Sequence, residues 1–148
     1  MDWIEKIDKS ELQYMVPALF VFFDDIETAA SLLYREGMAS PLASSEDKAR
    51  AIERTKNELE SRPPKKYWEA VKSEICTIIC TDDEKYLKLR KQLMLEGEKG
   101  TKSIVAIISA FIGSVLGVEA TLLTGFCAVS LYAILKVGKE AYCAVEHV

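Results

Sequence analysis

Between Ser103 and Leu135 the chain carries a single charge, Glu119. That residue divides the stretch into two runs of 16 uncharged residues, Ser103–Val118 and Ala120–Leu135. Neither run alternates polar and apolar residues as a half-buried strand does. Apolar side chains instead recur all round the helical projection, which predicts two helices hidden on every side. Gly117 suits the close of the first helix. Glu119 suits the first turn of the second, where a carboxylate favours the positive end of the helix dipole. Ser109, Gly113, Gly117, Gly125 and Ala128 are small enough to let the two helices approach closely. Residues 101–143 therefore read as an apolar helical hairpin. Ile104, Ile108, Phe111, Gly113, Leu116, Leu122, Phe126, Leu131 and Leu135 are the side chains that a core, a partner or a lipid phase would meet.

Two settings satisfy such a hairpin. Each 16-residue arm rises about 24 Å, against a bilayer core of about 30 Å. Flanking residues would have to complete a crossing. Lys99 and Lys102 precede the first arm, and Lys136 and Lys139 follow the second. In a hairpin these four cations share one end. That end is cytoplasmic if the hairpin spans a membrane, and simply solvated if the hairpin is the centre of a soluble fold.

The rest of the chain has a different character. Residues 1–100 hold 16 of the 19 basic and 20 of the 23 acidic groups. They read as an amphipathic helical shell. Asp2, with Glu5 as its capping-box partner, opens a short helix over 3–9, and Ser10 caps again with Gln13. Pro17 kinks or restarts the chain within the apolar run Leu12–Phe23. Phe20, Phe22 and Phe23 are expected to pack inward. Asp25 caps a helix over 26–35 that Gly37 ends. A loop over 38–43 leads to a polar outer helix over 46–61, anchored by Ala49, Ile52 and Leu59. Pro64 starts a helix over 65–80 with a clear stripe of Trp68, Val71, Ile75, Ile78 and Ile79. Thr81 and Glu84 form a capping box for a helix running to about Glu96, with Tyr86, Leu89, Leu93 and Met94 inward. The expectation is one all-α domain over 1–148, a six- to seven-helix bundle around the C-terminal hairpin.

The search for chemistry finds little. Cys76 and Cys80 are four apart on one predicted helix face, and Cys143 and His147 have the same spacing on the last helix. Facing each other they would offer a tetrahedral zinc set. Packing as small hydrophobes explains the cysteines as well, and a Cys–Cys bond under oxidation is the third reading. Asp24–Asp25 and Asp82–Asp83 stand where helices begin, so capping accounts for them. His147 is the only histidine. Without a second one, a nucleophile elbow, a phosphate-binding glycine loop or a metalloprotease pair, no catalytic residue, cofactor or metal is expected. A net charge of −4 argues against a nucleic-acid partner. Asp2 and Glu5 stand where a signal peptide would be basic, so the chain is expected in the cytoplasm with reduced cysteines.

Two resemblances follow from these residues. Amphipathic helices ahead of an uncharged hairpin resemble the layout of colicin pore-forming domains, which implies a hairpin that is hidden in water and released into membranes. The segment Leu116-Gly-Val-Glu-Ala-Thr-Leu-Leu-Thr-Gly125, with Leu135-Lys-Val-Gly-Lys-Glu-Ala-Tyr-Cys143, is similar to the tails of small helical bacterial proteins of defence-type operons. The expected function is thus a soluble, non-enzymatic domain that binds a protein partner or itself. The alternative is a protein whose 103–135 hairpin enters the inner membrane, forming a pore or an anchor, with both termini cytoplasmic.

Overall fold

The computed structural model describes residues 2–36 and 63–146, and every regular element among them is helical. The loop over 38–43, the outer helix over 46–61 and His147 lie outside the described residues.

The N-terminal arm is built from short pieces. Helix α1 (Asp2–Glu5) is four residues long and α2 (Lys9–Met15) seven. Asp8, not Ser10, caps α2: its Oδ1 accepts from the Ser10 N–H at 2.8 Å. The Asp8 N–H in turn donates to Thr101 Oγ1 at 2.8 Å, fixing the start of α2 to the far end of the sequence. Val16 is followed by a 3₁₀ turn, Pro17–Phe20, with Pro17 at its first position. Helix α3 (Ile26–Ser31) begins at Asp25, whose carboxylate accepts from the Thr28 N–H at 3.1 Å and the Thr28 hydroxyl at 2.6 Å. A π-type turn, Leu32–Glu36, continues it.

Helix α4 (Lys65–Cys80) starts at Pro64, and Trp68, Val71, Ile75, Ile78 and Ile79 are all buried. Glu27 of α3 joins the two helices. It accepts from Trp68 Nε1 at 3.0 Å and from Lys72 Nζ at 2.9 Å. Burial alone would lower the Lys72 pKa, but hydrogen bonds to Glu27 and Glu69 outweigh it and hold the ammonium above its ordinary value. The expected Thr81 cap falls instead to Asp83, whose Oδ1 accepts from the Lys85 N–H at 3.0 Å. A 3₁₀ turn (Glu84–Tyr86) then leads into α5 (Leu87–Glu96). Tyr86, Leu89 and Leu93 are buried as expected, whereas Met94 is exposed. The helix phase that turns Leu89 and Leu93 inward carries Met94 outward.

After a second 3₁₀ turn (Gly97–Lys99) come α6 (Thr101–Leu116), α7 (Ala120–Val137) and α8 (Lys139–Glu146). Gly117 closes α6 with a left-handed φ of 72°, and Glu119 stands just before α7 as its cap residue. Helices α6 and α7 pack on each other more extensively than any other pair of described elements. A Cβ on Gly113 would lie 2.5 Å from the Val118 carbonyl oxygen, so this glycine lets the turn fold back on α6. Gly125 has another use: its missing Cβ makes room for Leu33 of the π-type turn.

Helix α7 also meets α2, α3, α4 and α8. Leu123, Phe126–Tyr132 and Ile134 are buried, which places the middle of α7 at the centre of the core. The expectation that both arms are hidden on every side fails for α6. Its buried positions, including Ile104, Val105, Ile108, Ile112 and Gly113, form one stripe, and Ala106, Ala110, Ser114 and Val115 face outward. The described elements that contact α6 leave these outward positions exposed.

Candidate interaction surface

The 3₁₀ geometry of Pro17–Phe20 decides which side chains reach the surface. At three residues per turn, Ala18 and Leu19 turn inward and are buried, while Phe20 turns out. Tyr14 is 75% exposed, Phe20 40% and Phe23 46%, with Val21 between them also exposed. The expectation that these phenylalanines pack inward is therefore corrected for Phe20 and Phe23; Phe22 alone is half-buried against the core. The Tyr14 and Phe20 rings meet edge to face, 5.4 Å between centroids.

This aromatic turn is fastened to the end of α7. Lys136 Nζ lies 4.4 Å from the centroid of the Phe23 ring, donates to the Phe23 carbonyl oxygen at 2.8 Å and approaches Asp24 Oδ1 at 3.4 Å. One of the four cations expected simply to be solvated thus clamps the turn. Further along, Gln13 Nε2 reaches the Leu19 carbonyl oxygen at 3.4 Å. The result is a small apolar surface with a cation and a carboxylate at its rim, held at both ends by the scaffold.

The nine hairpin residues separate into two groups. Ile104, Ile108, Gly113, Phe126 and Leu131 are buried, and Phe111, Leu116, Leu122 and Leu135 are half-buried. None of the nine is fully exposed. Helix α7 is the one described helix long and apolar enough to cross a membrane by length and composition, and half of it is buried inside the fold; α6 is apolar but shorter.

The cysteines form a different arrangement from a zinc set. Cys80 and Cys143, 63 residues apart, are joined in a disulfide between α4 and α8. This differs from the expectation of four reduced thiols, and it removes two of the four imagined ligands. Cys76 is half-buried and Cys127 buried, both outside the disulfide. Burial pushes the Cys127 thiol up to about 12, with the Ser109 hydroxyl beside it pulling the other way. The Ser109 and Ser130 hydroxyls are buried without a hydrogen bond of ordinary geometry. Among the described residues no group of three or more His, Cys, Asp or Glu is placed to hold a metal ion.

Three of the four carboxylates in the acidic pairs have structural partners: Asp25 and Asp83 cap helical turns, and Asp24 faces Lys136. Tyr86 donates to Glu74 Oε2 at 3.0 Å, and burial first, then that carboxylate, raise its phenol well above the usual range. A phenol held protonated in this way ties α4 to the turn before α5. It is not poised as a base.

Sequence reasoning passed over Tyr14 and misplaced Phe20 and Phe23. One signal was available: Asp24–Asp25 follows the aromatics directly, and the chain must be at the surface there.

Protein-family models, curated proteins and solved structures were compared with the chain, and none matches. The class defined is accordingly structural, an all-α domain with an exposed aromatic turn.

Proposed function

We propose that the chain is a non-enzymatic helical interaction domain, a bundle built round its C-terminal hairpin, which binds a protein partner through the exposed rings of Tyr14 on α2 and of Phe20 and Phe23 on the segment that follows it. The observation that carries this reading is the exposed Tyr14–Phe20 ring pair, with Phe23 also exposed and held by Lys136. Exposed aromatics of low side-chain entropy are the residue types that anchor protein interfaces. The buried middle of α7 supports a hairpin that serves as scaffold and leaves recognition to the surface. The same reading sets the protein in the cytoplasm, in a bacterial defence- or toxin-type system, with no role for nucleic acid.

The test is the double variant Tyr14→Ser, Phe20→Ser. Its stability is expected to fall by only about 1 kcal/mol, the worth of an exposed aromatic pair. A partner captured by the unaltered chain and reconstituted with it from pure components should bind the variant at least about tenfold more weakly, a loss of about 1.4 kcal/mol. Equal binding by both, or a turnover activity abolished by one point mutation elsewhere, contradicts the proposal.

The second reading is membrane action by the hairpin. It is favoured by the apolar length of α7 and by the outward face of α6, where Ala106, Ala110 and Val115 present no charge. Under it, the purified chain releases dye from anionic vesicles, and Ala106→Glu on the outward face of α6 abolishes release while the helices stay folded.

A further inference from the structure

Helix α8 has few means of staying where it is. It is eight residues long, well below the roughly 12–15 at which isolated helices become even marginal in water. A single residue, Gly138 with φ 90°, separates it from α7. Lys139, Glu140, Ala141, Ala144 and Val145 are exposed, and among the side chains described in α8 Tyr142 is the one that is fully buried. Its remaining attachment is covalent, the bond from half-buried Cys143 to half-buried Cys80 at the last position of α4. By contrast α4, α6 and α7 are each held by several buried side chains.

We infer that the Cys80–Cys143 bridge is a redox latch, and that its reduction releases α8 from the surface of α4 while the rest of the domain stays folded. The reductant is a dithiol. One of its thiolates attacks a sulfur of the bridge, the Sγ–Sγ bond breaks, and a mixed disulfide forms. The second thiol of the reductant then displaces the protein sulfur. Two electrons and two protons pass to the protein, leaving thiols on Cys80 and Cys143, and the reductant leaves as a disulfide. Both bridged cysteines are half-buried residues, which places the bridge near the surface rather than in the core. Cys127 is a built-in control, because its buried thiol stays protonated and out of reach. Without the bridge Tyr142 is the one buried side chain described in α8, and Gly138 supplies the backbone freedom for the helix to swing away. In a reducing compartment the released form prevails, and oxidation closes the latch. The inference is independent of what the aromatic turn binds.

The experiment is hydrogen exchange read by mass spectrometry on the full chain carrying Cys76→Ser, so that Cys80 and Cys143 have no neighbouring thiol to re-pair with. A non-reducing peptide map first establishes the bridge in the oxidised sample. Dithiothreitol should then speed exchange of the amides of residues 139–146 by at least about tenfold and bring them close to unprotected rates, while α4, α6 and α7 remain protected. Cys143→Ser should reproduce that pattern without reductant. Unchanged protection of α8 after reduction overturns the latch. So does simultaneous loss of protection in all helices, which would make the bridge a staple of the whole fold, and so does failure of the bridge to form on oxidation.

Discussion

Arg90 donates to four backbone carbonyls: Asp83 at 2.7 Å, Thr81 at 2.8 Å, and Thr77 and Ile78 at 3.2 Å. The last carbonyls of a helix lack partners within it, and a guanidinium with five donors satisfies several at once. Arg90→Met should therefore cost about 2–3 kcal/mol, a hydrogen-bond loss at partly buried carbonyls. Arg90→Lys should recover less than half of it, since an ammonium lacks the planar fork. Denaturant titration measures both. Gly113 is constrained more sharply, because the Val118 carbonyl oxygen occupies the space its Cβ would need. Backbone on both sides cannot yield cheaply, so Gly113→Ala should destabilise by about 1–3 kcal/mol in the same titration. The sequence marked Gly113 as a close-approach residue through its position among small neighbours. It gave no hint of Arg90, whose role depends on how the turn after Cys80 folds back, and charged residues on a polar helix look alike from sequence.

Among the elements, α4 was legible to the residue. Pro64 marks its start, and five apolar residues at helical spacing mark its inner face. The N-terminal arm was not, because its pieces are short and change helical period at Pro17. A period of 3.6 assigned to residues that turn every three sends Phe20 to the wrong side. The Asp25 cap was legible from residue type alone, and it has a pH signature. The Thr28 hydroxyl, then the Thr28 N–H, hold the Asp25 carboxyl below its ordinary pKa of 3.8. The folded value lies below the unfolded one, so the cap is fully present above the unfolded value and is lost as pH falls through the folded value. Protection of the α3 amides, taken relative to the intrinsic exchange rate at each pH, should fall below about pH 4 before that of the core helices does. Asp25→Asn keeps an acceptor and should flatten that dependence. Equal acid sensitivity in both chains would show that α3 frays for another reason.

For the whole molecule, composition separates a charged shell from an apolar centre, and the hairpin residues lie buried or half-buried accordingly. Two features of the assembled fold were left undecided by the sequence, the first of them a Cys–Cys bond that was one of three readings of the cysteines. The Cys80–Cys143 pairing joins residues 63 apart, and only the packing of α8 on α4 brings them together. The open face of α6 was masked by its own composition, since alanine and valine outside read the same as alanine and valine inside. The middle of α7 is covered on the inside of the fold. Leu131 lies in the buried middle of that helix, 1% exposed. The measurement that tests this most directly is the thermal and denaturant unfolding of Leu131→Lys followed by circular dichroism. An unpaired ammonium placed there should cost several kcal/mol and abolish cooperative unfolding of the whole domain. A Leu131→Lys chain that unfolds at the same midpoint as the unaltered protein, and has lost only the ability to act on vesicles, would contradict it.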